Sequence, residues 1–207
     1  MGIRMKIILS AFEPFGRDSL NAAWEAAKRL RGPEGTELIK FVLPTEFGRA
    51  GEILLRVVEE EQPDAVVCLG QAAGRASITP ERVAINVRDA RIPDNAGRQP
   101  IDEPVVPGAP AAYFSTLPIK EMVAAAAGIG APSAVSNSAG TYVCNDLMYL
   151  LLHAANTRFS GLKAGFIHVP CLPEQLSAYP EHTPSMPLDQ MAGGLEEMLK
   201  VLKEERN

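Results

Sequence analysis

Unbroken apolar runs alternate along this chain with apolar stripes at helical spacing, and that alternation limits the possible folds more than any other feature. The runs Lys6–Phe12, Glu37–Leu43, Ala65–Gly70, Arg82–Val87, Ala134–Asn137 and Lys163–Val169 read as strands. Several, such as Ala65-Val66-Val67-Cys68-Leu69-Gly70, lack the polar alternate positions of a strand that faces water, so they predict a sheet covered on both faces. Between them, Phe47, Ala50, Ile53, Leu54, Val57 and Val58 fall on one helical face until Pro63 stops the helix. Asn21–Leu30, Ile119–Ala127 and Asn145–Asn156 read in the same way, and Leu188, Met191, Leu195, Met198, Leu199 and Leu202 stripe a last helix. An α/β layered fold is the expectation, as one domain over 1–207.

Two stretches break the pattern. Arg91–Pro118 is rich in proline, with little helical or strand periodicity, and Leu172–Pro187 resembles it. Prolines with Asp and Asn predict fixed turns, so each segment is expected to wall or cover a site.

A net charge of −5 with scattered Lys and Arg excludes nucleic acid or an anionic membrane as the main partner. No apolar run reaches the roughly eighteen residues of a membrane span. The opening Met1-Gly2-Ile3-Arg4-Met5-Lys6 shows neither a signal-peptide core nor a complete myristoylation motif. Cys68, Cys144 and Cys171 are too few for a disulfide framework, which points to a reducing compartment and a cytoplasmic protein.

Chemistry concentrates at Cys144, where Ser138-Ala139-Gly140-Thr141-Tyr142-Val143 turns into an apolar helix. The first helical turn presents unpaired N–H groups and partial positive charge, which should push a thiol there toward thiolate. His168 ends the strand Gly165-Phe166-Ile167-His168, and cysteine with histidine makes a nucleophile and a base. Glu81, Asp89, Asp94 and Asp102 could each orient the imidazole, and spacing does not choose among them. Cys68, inside an apolar strand, reads as core. His168 with Cys171 lacks the further ligands a zinc site needs, so no metal is expected. Gln71 follows a strand at the place where α/β sheets bind ligands, and its amide suits a lactam or amide substrate.

Seven stretches together resemble the pyroglutamyl peptidase type I family of cysteine peptidases. They are Ser10-Ala11-Phe12-Glu13-Pro14-Phe15-Gly16, Leu43-Pro44-Thr45, Gly70-Gln71-Ala72, Glu81-Arg82-Val83-Ala84-Ile85-Asn86, Ile92-Pro93-Asp94-Asn95, Ser138-Ala139-Gly140-Thr141-Tyr142-Val143-Cys144-Asn145 and Phe166-Ile167-His168-Val169-Pro170. The resemblance implies a three-layer α/β sandwich whose mixed, mostly parallel sheet carries helices on both faces. It implies Cys144 as nucleophile, His168 as acid/base and Glu81 as the group orienting His168, with no cofactor. Pyroglutamyl peptides are the implied partners, and a homo-oligomer, a tetramer by resemblance, is expected. Arg91 is the expected side chain at the oxyanion. Phe12 and Phe15 would pack on the pyroglutamyl ring, with Ile92, Tyr142 and Val143 completing the wall. Gln71 would meet the lactam, supported by Asn21 and Thr45. Departures from the family pattern are Ala73 after Gln71, Tyr142 in place of Phe, and Cys171 in place of an aromatic residue.

Overall fold

A computed structural model describes residues 5–16 and 18–204; the opening Met1–Arg4 considered above for targeting lies outside them. The main sheet contains β1 (Met5–Phe12), β2 (Thr36–Leu43), β3 (Ala65–Gln71), β4 (Thr79–Pro80) and β7 (Lys163–Val169). Its order is β2-β1-β3-β7-β4, parallel throughout except for β4, which pairs antiparallel with β7. A mixed, mostly parallel sheet is therefore present, as expected.

Alternation along the strands sorts side chains into two cores. Ala65, Val67 and Leu69 of β3 and Ile167 and Val169 of β7 pack under α1 (Ala22–Arg29), α3 (Ile119–Gly128) and α5 (Leu188–Glu204). Val66 and Cys68 of β3 and Ala164 and Phe166 of β7 pack under α2 (Arg49–Glu61) and α4 (Val143–Thr157). Burying an apolar side chain of this size stabilises the fold by about 1.5–3 kcal/mol, which explains the unbroken apolar runs. Three layers result. No described helix is long and apolar enough to cross a membrane.

Local signals set the helix ends. The Asn21 side-chain oxygen Oδ1 caps α1 by accepting from the Ala23 N–H at 3.0 Å. Gln62 takes a left-handed turn (φ 48°) after α2, and Pro63 then forbids another helical turn.

Two expected strands fare differently. Of Arg82–Val87, only β5 (Val83–Ile85) is a strand, in a separate antiparallel ribbon with β6 (Ala112–Phe114). The chain leaves the main sheet here because the Asn145 amide takes the place of a neighbouring strand: it accepts from Ile85 N–H and donates to the Ile85 and Val87 carbonyls. Ala134–Asn137 makes no ladder; the segment touches its neighbour through isolated bridges, Ile78 to Ser133 and Glu81 to Ser136. Pro80 between those bridges has no N–H to donate, so continuous pairing stops. Strand β6 lies inside Arg91–Pro118, where no strand was expected. Three residues between proline-rich flanks, with Phe114 68% exposed, leave no readable period.

Candidate active site

His168 sits near the carboxyl end of β7, opposite Thr79 of β4. Glu81 follows β4 directly, held by its N–H donating to the Phe166 carbonyl at 2.8 Å. This pairing carries the Glu81 Oε1 to 2.7 Å from His168 Nδ1, with both side chains buried. The geometry thus chooses Glu81 among the four carboxylates. Asp94 instead accepts the Phe47, Ala96 and Arg98 N–H groups to fold its own turn, and Asp102 is exposed.

Cys144 is the second residue of α4, whose N-cap is Tyr142, so its N–H belongs to the helix end that has no intrahelical partner. The preceding loop is hooked to the Asp89 segment in both directions: Asp89 N–H donates to the Thr141 carbonyl at 3.0 Å, and the Thr141 hydroxyl donates to the Asp89 carbonyl at 2.7 Å. Buried Asp146 adds a third anchor, accepting from Gly48 N–H at 2.7 Å and pairing with Arg88.

Gly70 brings the sulfur and imidazole together. It lies directly beside His168 in the parallel register, where neighbouring strands are about 4.8 Å apart. A Cβ added to Gly70 would fall 3.1 Å from Cys144 Sγ and 2.7 Å from the Phe166 ring. Only glycine leaves room for the sulfur at this position. Phe166 also backs the imidazole, with ring centroids 4.8 Å apart.

The electrostatics correct one expectation. Burial pushes the Cys144 thiol up to about 12, reinforced by the negative charge of Glu81 and opposed by Arg75. The helix N-terminus does not overcome that desolvation. Burial also lowers the His168 pKa below 6.5, against the hydrogen bond and charge of Glu81. Burial raises the Glu81 pKa, but the hydrogen bond and charge of His168, a weaker interaction with the Ser136 hydroxyl and the charge of Arg75 bring it below 4.5. At neutral pH these shifts favour a protonated thiol, a neutral imidazole and an ionised carboxylate.

Aromatic groups gather on the same side. Phe12 packs on Phe166 (centroids 6.3 Å apart), and Tyr142 lies between Phe15 (6.3 Å) and Phe47 (5.3 Å). The Tyr142 hydroxyl donates to the Pro93 carbonyl at 3.0 Å, drawing Ile92, which is 48% exposed, to this wall. Val143 is fully buried beneath it, and Arg91 is exposed on the same segment as Ile92. The start of Arg91–Pro118 does form fixed turns: the Asn95 amide donates to Glu13 Oε1 and the Pro14 carbonyl.

Gln71 is placed differently from its expected role. Alternation turns it to the α1 side of the sheet, opposite the Cys144 side. Its oxygen accepts from Ala22 N–H and the Gln175 amide, and its nitrogen donates to Asp18 and the Tyr179 hydroxyl. Its side-chain amide has nothing left for a lactam. Asn21 and Thr45 both donate to the Glu13 carbonyl, at 3.3 and 3.2 Å, and so shape the loop carrying Phe15. Cys171 is buried and accepts a weak contact from Gln71.

Arg75, in the turn after β3, is not among the site residues expected from the sequence. It donates to Glu81 Oε1 at 2.7 Å and to the Ser138 carbonyl at 3.1 Å. The available signal was a lone arginine six residues before a candidate carboxylate. Among the described residues, no group of three or more His, Cys, Asp or Glu is placed to hold a metal ion.

A thiol at a helix start, an imidazole on the adjoining strand end and a buried carboxylate on that imidazole define the class of cysteine hydrolases. The profile of the pyroglutamyl peptidase family matches residues 5–205. The chain is 50% identical to the pyrrolidone-carboxylate peptidase of Thermococcus kodakarensis over 202 residues, covering 97% of each chain. It is 49% identical to that of Bacillus licheniformis over 192 residues, covering 92% of this chain and 88% of the relative. A crystal structure of pyroglutamyl peptidase I from Bacillus amyloliquefaciens superposes with a TM-score of 0.92 at 41% identity, covering 97% of this chain and 95% of that one. A mutant pyrrolidone carboxyl peptidase from Pyrococcus furiosus gives 0.93 at 42% identity, covering 98% and 100%. The chain belongs to the pyroglutamyl peptidase family of cysteine peptidases.

Proposed function

We propose that the protein removes N-terminal pyroglutamate from peptides through a thioester on Cys144. The observation that carries this reading is the 2.7 Å contact between His168 and Glu81 on the sheet face where Gly70 receives the Cys144 sulfur. With the resting pair neutral, His168 takes the thiol proton as sulfur attacks the carbonyl joining the ring to the next residue. The new C–S bond forms, the tetrahedral intermediate collapses, and His168 gives the proton to the departing amine. The imidazole then draws a proton from water, which attacks the thioester and frees pyroglutamate and the Cys144 thiol. Glu81 holds the imidazole in the useful orientation and stabilises its cationic form.

The oxyanion would be met by the Cys144 N–H at the start of α4, with Arg91 as the side-chain donor. Phe12, Phe15, Ile92, Tyr142 and Val143 would wall the compact ring. Main-chain groups of the loop after β1, fixed by Asn21 and Thr45, would read its lactam in place of the engaged Gln71 side chain. Such a site rejects a prolyl substrate, which lacks the ring carbonyl and leaves its partner unpaired. As in the family resemblance, the working form would be a homo-oligomer.

The test is hydrolysis of a pyroglutamyl fluorogenic amide, with the prolyl amide as control, by the wild type and Cys144→Ser. Cleavage of the first substrate alone, falling at least about 10³-fold in the variant, is expected. Equal cleavage of both amides, or an active Cys144→Ser, would overturn the reading.

A further inference from the structure

Glu81 carries its two contacts on one oxygen. Oε1 accepts from both His168 Nδ1 and Arg75 Nη1, each at 2.7 Å, while buried Oε2 has no hydrogen-bond partner. Without a second strong contact, only the imidazole and a weak interaction with Ser136 would fix the orientation of the carboxylate. Arg75 supplies that contact. One guanidinium nitrogen reaches Glu81 and the Thr79 hydroxyl, at 2.7 and 2.5 Å. The other reaches the Ser138 carbonyl, at 3.1 Å, in the loop that leads to Cys144. Thr79 is also the strand partner of His168, and its hydroxyl donates to the His168 carbonyl at 3.3 Å. One planar side chain thus touches the orienting carboxylate, the strand facing the base and the approach to the nucleophile.

We propose that Arg75 is a positioning residue of the reaction, holding the Glu81 carboxylate against His168 and fastening it to the Cys144 loop. This rests on the peptidase reading above. A planar fork is required because the two acceptors lie apart, and a lysine ammonium on its single stem cannot reproduce both contacts. The arginine is 26% exposed while its carboxylate partner is fully buried, so the positive charge enters the site from the rim.

The charge has a second effect. The charged groups that act on His168 are Glu81 from the segment after β4 and Arg75 from the turn after β3; Cys144 of α4 lies against Gly70, the strand neighbour of His168, with Cys68 further down that face. Glu81 draws a proton onto the imidazole, and Arg75 opposes it. Burial is the main cause of the lowered His168 pKa, and the Arg75 charge adds a smaller push in the same direction, toward the neutral form that can accept the thiol proton.

The experiment is a titration of the His168 Cε1–H signal by NMR in the wild type, Arg75→Gln and Arg75→Lys, beside the pH profile of kcat/KM on the pyroglutamyl amide. Only three histidines need assignment. In Arg75→Gln, the His168 midpoint should rise by about half a pH unit or more, and the acid limb of kcat/KM should follow it. Arg75→Lys, which keeps the charge but loses the fork, should hold the midpoint and lower kcat about 3- to 30-fold with little change in KM. An unmoved midpoint in folded Arg75→Gln would overturn the proposal, as would wild-type kcat in Arg75→Lys. The lysine variant carries the test by itself if the glutamine variant does not fold. The titration needs no substrate, so failure of the peptidase reading shows separately, as no cleavage by the wild type.

Discussion

The carboxyl ends of β3 and β7 present two polar clusters back to back, and they are finished in opposite ways. On the α1 side, Gln71, Gln175, Asp18 and Tyr179 bond one another, with all hydrogen-bonding positions of Gln71 used. On the α4 side, Cys144 and His168 stay neutral in a desolvated place, and Glu81 keeps a buried oxygen without a partner. Gly70 and Gln71 are adjacent residues of one strand, so a single step along β3 separates the two. A buried polar cluster with every group satisfied holds a fold in one shape. One with groups left open holds chemistry, at a cost to stability. The α1-side cluster fixes the loop after β1, and so the aromatic wall, while the α4 side carries the groups proposed to react.

The largest test of that division is Glu81→Gln. It removes the charge that stabilises the imidazolium yet preserves volume, so kcat should fall by about 10²–10⁴-fold while the melting temperature moves little. Activity near wild type would place the orienting group elsewhere. Gly70→Ala comes next. Its new methyl would meet the Phe166 ring and the Cys144 sulfur, so calorimetry should show a loss of about 1–3 kcal/mol and assays a loss of tenfold or more. A stable, fully active variant would mean the sulfur does not depend on the gap at Gly70.

Gln71→Leu probes the opposite side. It strands the buried Ala22 N–H and takes one partner each from Asp18, Gln175 and Tyr179, so stability should drop by about 1–3 kcal/mol in denaturant titration. Preference for the pyroglutamyl over the prolyl amide should be retained. Loss of that preference would return the lactam contact to the Gln71 side chain and erase the contrast between the faces.

The smallest effect is on pH. A buried His168 with a folded-state pKa below 6.5 binds its proton less readily in the native protein than in the unfolded chain. Stability from this group is present above pH 6.5 and is lost as pH falls from there toward the folded value. Glu81, held below 4.5, adds stability above that pH that is lost on further acidification. Melting temperatures should thus decline in two steps, and His168→Gln should abolish the upper one.

Much of this architecture is legible in the residues themselves. Strands β1, β3 and β7 announce themselves because burial on both faces leaves unbroken apolar runs, and the helices because one-sided burial leaves stripes. Cys144 and His168 stand out through their positions at element ends. The side of Gln71 was also written in the chain: Ala65, Val67, Leu69 and Gln71 share one parity, and Val66, Cys68 and Gly70 the other. What the residues hide is anything set by tertiary contact. Asn145 diverts β5 from the sheet through side-chain bonds 58 to 60 residues away in sequence. Desolvation of Cys144 depends on what covers the helix start, so the downward push of the helix end on its pKa is present but outweighed by burial. Arg75 matters only because folding brings Glu81 and Ser138 within its reach.

The protonated resting state of Cys144 also bears on how long the enzyme lasts. Thiolates attack peroxides and soluble disulfides, whereas sulfur that keeps its proton is a poor nucleophile and is oxidised slowly. Under the proposed mechanism the protein would carry its most perishable atom in a guarded form, open to damage chiefly during catalysis, when His168 would withdraw the proton. Oxidative ageing should follow the number of turnovers more closely than the hours elapsed.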